Sequence, residues 1–223
     1  MSDTTMDNAA TDQAHPDAAK DAKAEIVRAA ADLFMDYGYT ATSIDAIAEK
    51  MGATKGRIYH YYRSKAQIFF DIQRTAMTNL FRAVEPIARE SGPPEDRLRR
   101  MAWAHLSLML REMPIQKVAV QGLEKYLFEA EGFRHSKTLA EINALRDDYE
   151  QMFAEVIDAG ARTGVFVNDS PRLLTKPFFG TMNWVTVWYR PRRIQSDEDI
   201  NSICSALVEY AMRGLRDPNG GAS

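Results

Sequence analysis

Five cations, Lys50, Lys55, Arg57, Arg63 and Lys65, lie between Glu49 and Asp71 with no acidic residue among them. Tyr59, His60 and Tyr61 are interleaved with these charges. Lysine and arginine attract phosphates, and tyrosine hydroxyls bond phosphate oxygens. Arginine also grips guanine O6 and N7 with two hydrogen bonds. The chemistry on offer is contact with a nucleic acid. A charge run alone is more often a solvated helix face, so spacing has to decide. Ile58 and Tyr62 stand four apart and can hold the buried side of one short helix over residues 54–62. Lys55, Arg57, Tyr59, His60 and Tyr61 are then left for its other faces.

Other chemistry lacks its parts. The four histidines, His15, His60, His105 and His135, form no HExxH pair, and Cys204 is the single cysteine, so a transition-metal site has no ligand set. There is no G-x-S-x-G elbow, P-loop or GxGxxG. Asp147 and Asp148 are adjacent and point to different sides of a helix. The sequence predicts no catalytic residue, no metal, no cofactor and no enzyme.

The basic helix needs a platform. Upstream, Ile44, Ile47, Ala48 and Met51 follow the spacing of one buried helix face. Thr42 or Ser43 can cap that helix, and with Thr42 as cap Asp45 falls where a carboxylate reaches the free amides. Gly52 follows at the position where a left-handed backbone costs least. Two helices this short and this tightly joined read as a helix-turn-helix. Residues 22–37, with Ile26, Ala30, Leu33, Phe34 and Tyr37 on one stripe and Gly38 as stop, predict a first helix that braces the pair.

The run G-A-T-K-G-R-I-Y-H-Y-Y-R-S-K, preceded by T-S-I-D-A-I-A-E-K-M, resembles the signature of tetracycline-repressor-type (TetR family) transcriptional regulators. The resemblance spans residues 22–70. It implies a three-helix DNA-binding head, a helical effector and dimerisation domain, and a two-fold dimer on a palindromic double-stranded operator. Carried over by position, the family's DNA-contacting places fall on Lys55, Gly56, Arg57, Tyr59, Tyr61 and Lys65, and a phosphate-contacting place falls on Ser43. His60 joins them from its place on the same helix. Three residues depart from the pattern. Ala53 stands where valine is commoner, Arg57 where a small residue is commoner, and Tyr62 where phenylalanine is usual. A long cation at Arg57 can read different base edges.

The remaining chain reads as helices throughout, about nine in all, with no strand required. Ser64 can cap a fourth helix running to residue 84, which Pro86 should break or bend. Further helices are expected over 94–111, 114–128, 136–163, 170–189 and 196–215. The division expected is a disordered tail over 1–21, a head over 22–66, an effector and dimer domain over 67–216, and a disordered tail over 217–223. Met101, His105, Met109, Tyr126, Tyr149 and Phe153 give large, adaptable apolar surface with occasional polar tips, which suits a small-molecule pocket and equally a plain core. The resemblance favours a pocket, with His105 or Tyr126 supplying a polar contact. Phe178, Trp184, Trp188, Leu207 and Tyr210 belong to two late helices with more apolar surface than a thin bundle needs, which points to four-helix packing between subunits. The run N-W-V-T-V-W-Y-R-P also resembles the C-terminal signature of a TetR subgroup that includes regulators of fatty-acid and acyl-CoA catabolism. Arg190, Arg192 and Arg193 read either as contacts to CoA phosphates or as an exposed basic turn ending a helix.

The composition, 45% hydrophobic and 26% charged, is that of a soluble globular chain. A net charge of −3 does not announce a nucleic-acid binder, because the basic charge is local. One cysteine suits a reducing cytoplasm, and no apolar run is long enough to span a bilayer. The sequence therefore predicts an all-α, cytoplasmic homodimer that represses transcription and is released by a small apolar or acyl-CoA-like effector. The alternative is a helical ligand-binding protein whose head no longer reads DNA.

Overall fold

Apolar residues recur at helical spacing along nearly the whole chain, and the backbone follows them. The computed structural model describes residues 16–128, 136–191 and 196–216. Ten helices lie among them: α1 (Pro16–Tyr37), α2 (Ile44–Lys50), α3 (Lys55–Tyr61), α4 (Lys65–Ala88), α5 (Pro94–Arg111), α6 (Met113–Phe128), α7 (Ser136–Arg162), α8 (Pro171–Asn183), α9 (Val185–Trp188) and α10 (Asp197–Arg213). Among the described residues the pairing outside helices is one antiparallel bridge, Phe166 with Arg216. The protein is all-α, with a helix-turn-helix head followed by a helical body.

Local chemistry sets most boundaries. Ser43 accepts from the Ala46 amide at 3.0 Å and caps α2, Ser64 accepts from Gln67 at 3.3 Å and caps α4, and Ser196 accepts from Asp199 at 3.1 Å and caps α10. Gly52 turns the chain between α2 and α3 with φ +61°, a conformation other residues rarely take. Thr42 does not serve as the cap. It is buried, and its hydroxyl donates to the Gly38 carbonyl at 2.9 Å.

Three boundaries differ from expectation. α1 starts at Pro16, so residues 16–21 of the expected tail are helical, and residues 1–15 lie outside the described residues. Proline suits a first helical turn, whose amides have no partner within the helix, and Ala18, Ala19 and Ala22 are strong helix formers. α4 continues through Pro86 to Ala88. The proline sits in the last turn, where it forfeits one bond, and the Arg89 amide still reaches the Glu85 carbonyl at 3.2 Å. The helix expected over 170–189 divides into α8 and α9. Thr186 Oγ1 donates to the Asn183 carbonyl at 2.8 Å, and the Val187 amide turns to Trp184 O at 2.9 Å instead.

Two apolar cores result. One joins Ile26 and Phe34 of α1, Ile47 of α2, Ile58 of α3 and Phe69 of α4, and it also takes in Ile115, Val118 and Ala119 of α6. The other joins α4, α5, α7, α8, α9 and α10 around Leu98, Met109, Phe153, Phe178, Val185 and Cys204. Burial pushes the Cys204 thiol up to about 11. A polar node bolts the helices where the cores meet. Gln73, fully buried in α4, donates to the Val118 carbonyl at 3.2 Å and accepts from Arg146 of α7 at 3.1 Å, while Arg146 also donates to the Ala119 carbonyl.

Gly160 of α7 lies under the buried Phe166 ring, and a Cβ there would fall 2.0 Å from Phe166 Cδ2. Glycine to alanine inside a helix normally gains about 1 kcal/mol. Gly160→Ala should instead lose about 1–3 kcal/mol through overpacking. Thermal unfolding followed by circular dichroism checks the sign, and a raised melting temperature would refute the packing argument.

Candidate nucleic-acid interface and interior cavity

α3 carries one hydrophobic anchor and an outward polar surface. Ile58 is fully buried, and Tyr62, just past the helix, is buried with its hydroxyl donating to Asp71 Oδ2 at 2.9 Å. Burial, reinforced by the Asp71 charge, pushes the Tyr62 hydroxyl well above its ordinary value. Lys55, Gly56, Arg57, Tyr59 and His60 are all exposed, as is Ser43 at the start of α2. Tyr61 is half-buried against the head core, with His60 edge-on to its ring at 4.8 Å. A Cβ on Gly56 would meet nothing nearer than Thr54 Oγ1 at 3.8 Å. No contact within the chain therefore requires glycine there, which suits close approach by an outside backbone.

The two foremost cations are already paired. Lys55 Nζ lies 2.9 Å from Asp45 Oδ2, and Arg57 Nη2 lies 2.6 Å from Glu25 Oε2. The hydrogen bond to Asp45, followed by its charge, holds the Lys55 ammonium above its ordinary value. Both pairs are exposed, and exposed pairs hold only weakly. Glu25 sits on α1, thirty-two residues from Arg57, and no sequence spacing announces that partnership.

Lys65, expected to contact DNA, turns its ammonium toward the chain itself. It donates to the carbonyls of Tyr39 at 2.6 Å, Thr42 at 2.8 Å and Thr40 at 3.3 Å, and lies over the Tyr39 ring at 4.3 Å. The residue ties α4 to the turn between α1 and α2 and fixes the platform beneath α3.

The second feature is a cavity of about 240 Å³, half open to the surface, between α4, α5, α6, α7 and α8. Of the residues expected there, His105, Met109 and Tyr149 line it. Met101 and Phe153 do not, because both are fully buried in the body core behind its wall. The Tyr126 side chain lies outside the described residues. Met77, Leu80, Val120 and Phe179 complete the apolar lining, and Gln116, Arg146, Glu150 and Asn183 add polar groups. His105 Nε2 donates to Asn183 Oδ1 at 3.0 Å, leaving Nδ1 to accept from the Tyr149 hydroxyl at 3.0 Å. Burial pushes His105 down to about 4 against the opposing effect of its hydrogen bond to Asn183, so the ring is neutral. Burial also raises the Tyr149 hydroxyl well above its ordinary value. Gln116 is 1% exposed, and its Nε2 meets no hydrogen-bond partner among the described residues. Sequence reasoning passed over Gln116. Its signal was a polar residue at helical spacing from Met113, Ala119 and Val120.

The late helices present an apolar face. Trp184 is 61% exposed, Tyr210 71% and Trp188 47%, and Leu207 is half-buried. Phe178 does not belong with these. At 3% exposure it is packed against Phe153, its ring centroid 6.1 Å away, in its own chain's core. Arg190 donates to the Val187 and Tyr189 carbonyls at 2.9 and 3.1 Å, the helix-ending basic turn of the two readings above, while Arg192 and Arg193 lie outside the described residues. Among the described residues no helix is long and apolar enough to cross a membrane.

Two family models match this chain. One, described as bacterial regulatory proteins, tetR family, covers residues 26–72, and the other, described as tetracyclin repressor-like, C-terminal domain, covers residues 91–215. The HTH-type transcriptional repressor KstR2 of Mycolicibacterium smegmatis is 26% identical over 82% of this chain and 87% of its own. The crystal structure of PfmR, a TetR family transcriptional regulator from Thermus thermophilus, superposes with a TM-score of 0.72 at 26% identity, over 86% of this chain and 99% of that one. A crystal structure of AibR in complex with isovaleryl coenzyme A and operator DNA superposes with a TM-score of 0.69 at 24% identity, over 85% of this chain and 97% of that one.

Two outcomes follow from this geometry. Lys65→Met should lower the stability of the fold by about 1–3 kcal/mol, the usual range for losing hydrogen bonds from a charged group, as read by urea unfolding; an unchanged midpoint would count against the strut. His105 has an ordinary value of 6.5 and a folded value of about 4. Between those values the unfolded chain binds the extra proton, so stability is present above 6.5 and drains as the pH falls through 4. The full loss is about 3 kcal/mol. Urea midpoints of wild type and His105→Gln, separate at pH 7, should converge toward pH 4; parallel profiles would show that His105 titrates normally.

Proposed function

The chain belongs to the tetR family of bacterial regulatory proteins, DNA-binding regulators of transcription rather than enzymes, and on that premise we propose that it is a ligand-released repressor acting as a homodimer on a palindromic operator in the cytoplasm. The observation that carries this reading is the outward display of Lys55, Gly56, Arg57, Tyr59 and His60 from a helix anchored by buried Ile58. α3 enters the major groove, with Arg57 reading base edges and Lys55, Tyr59 and Ser43 meeting phosphates. His60 lies on the same outward surface, and Tyr61, half-buried, backs it. Two heads then stand about 34–36 Å apart, or a multiple of that distance, to address successive turns of one duplex face. Trp184, Trp188, Leu207 and Tyr210 pair with the same face of a second copy, in the self-complementary arrangement of a two-fold interface.

Release follows from the place of α6. Gln116, Ala119 and Val120 line the cavity, while Ile115, Val118 and Ala119 are packed into the head core. A ligand that fits the cavity better in one setting of α6 shifts the head with it, and couplings of this type amount to about 1–3 kcal/mol. AibR was crystallised with isovaleryl coenzyme A, which supports a short acyl thioester as an effector class here. At about 240 Å³ the cavity suits a compact apolar group rather than a whole drug-sized molecule.

Gel shifts across a salt series test the assignment. Arg57→Ala should relax base preference at one or two operator positions, by about 1–3 kcal/mol each, whereas Lys55→Ala should weaken all duplexes alike and reduce the salt slope by about 1. Glu25→Gln, which removes the carboxylate held by Arg57, should tighten binding. Equal binding by wild type and all three variants would refute the interface, and the absence of binding to any genomic duplex would leave the ligand-binding alternative.

A further inference from the structure

Two buried side-chain polar atoms lack a hydrogen-bond partner among the described residues, Arg97 Nε and Gln116 Nε2. Arg97 still donates through Nη1 to the Ala88 and Glu90 carbonyls. Gln116 instead lines the cavity, at 1% exposure, with its amide nitrogen unmet. A buried donor left unmet is costly, and native proteins rarely retain one without a use.

We infer that Gln116 Nε2 donates to a neutral carbonyl oxygen on the ligand of this cavity, carried on a compact apolar chain as in a ketone or thioester. The inference rests on the reading that the cavity takes an effector and specifies what that effector must offer. Among the other polar side chains of the wall, His105, Arg146 and Glu150 are engaged, and Asn183 gives its Oδ1 to His105. Both ring nitrogens of His105 are occupied by Tyr149 and Asn183. Arg146 gives Nη2 to both Gln73 and the Ala119 carbonyl and is committed to the node that joins α4, α6 and α7. Glu150, paired with Lys176, places a negative charge on the same wall, which disfavours a ligand carboxylate. A neutral acceptor avoids that repulsion. Met77, Leu80, Met109, Val120 and Phe179 take the apolar remainder. The bond would also be made to α6 itself, between Ile115 and Val118, which enter the head core.

The test uses the full-length protein with 2-octanone, S-ethyl hexanethioate and octanoate in calorimetric titrations. Wild type should bind the ketone and the thioester at least tenfold more tightly than octanoate. Gln116→Met keeps length and volume but removes the donor. It should weaken ketone and thioester about fivefold to tenfold, the loss of one neutral hydrogen bond, while raising the melting temperature of the ligand-free protein. Val120→Phe, which fills the cavity, should abolish binding of all three. Unchanged ketone affinity in Gln116→Met, or octanoate binding as tightly as the ketone, overturns the inference and leaves the cavity reading standing. A lower ligand-free melting temperature in Gln116→Met overturns it too, since the amide would then be met by water. Binding unaffected by Val120→Phe, or no binding of any probe to wild type, overturns both.

Discussion

One helix with two loyalties constrains this molecule. α6 gives Ile115 and Val118 to the core of the head and Gln116 and Val120 to the wall of the cavity. Residues one or two apart on a helix point to different sides, so the helix cannot move toward one neighbour without leaving the other. The buried node of Gln73, Arg146 and the Val118 and Ala119 carbonyls sets where it rests. Tightly packed interiors have discrete arrangements rather than continuous play. A ligand need only favour one of them.

The electrostatics of the head are local and provisional. A net charge of −3 hides five cations placed together, and the fold adds Asp45 and Glu25 as exposed counterions for the two foremost. Exposed ion pairs hold weakly, while a duplex presents a dense line of phosphates whose released counterions favour binding. In the proposed complex these carboxylates would give up Lys55 and Arg57 to the duplex.

Much of the head was legible in sequence because its signals are short-ranged. Gly52 marks a positive φ, a serine caps each of α2, α4 and α10, and the pair Ile58 and Tyr62 fixes which side of α3 is buried. What escaped depends on distant partners. Lys65 reads as one more surface cation until the Tyr39, Thr40 and Thr42 carbonyls are placed beside it. Phe178 and Trp184 share one apolar run, yet only the fold decides that the first faces inward and the second outward. Met101 and Phe153 could not be told from cavity residues by type, since core and pocket use the same side chains. Gln116 and Gln73 escaped for a different reason. Each interrupts an apolar stripe, a local sign of a polar group in the interior, but the sign does not say what that group meets.

The continuity of α4 through Pro86 has a mechanical consequence. Its 24 residues make a rod of roughly 36 Å, rooted beside α3 at one end and in the body core at the other. Rotating such a rod by about 5° about its far end sweeps the near end through roughly 3 Å, close to the rise between successive bases along one strand. A small angular adjustment deep in the body is thereby amplified into a whole step of misregister at the groove.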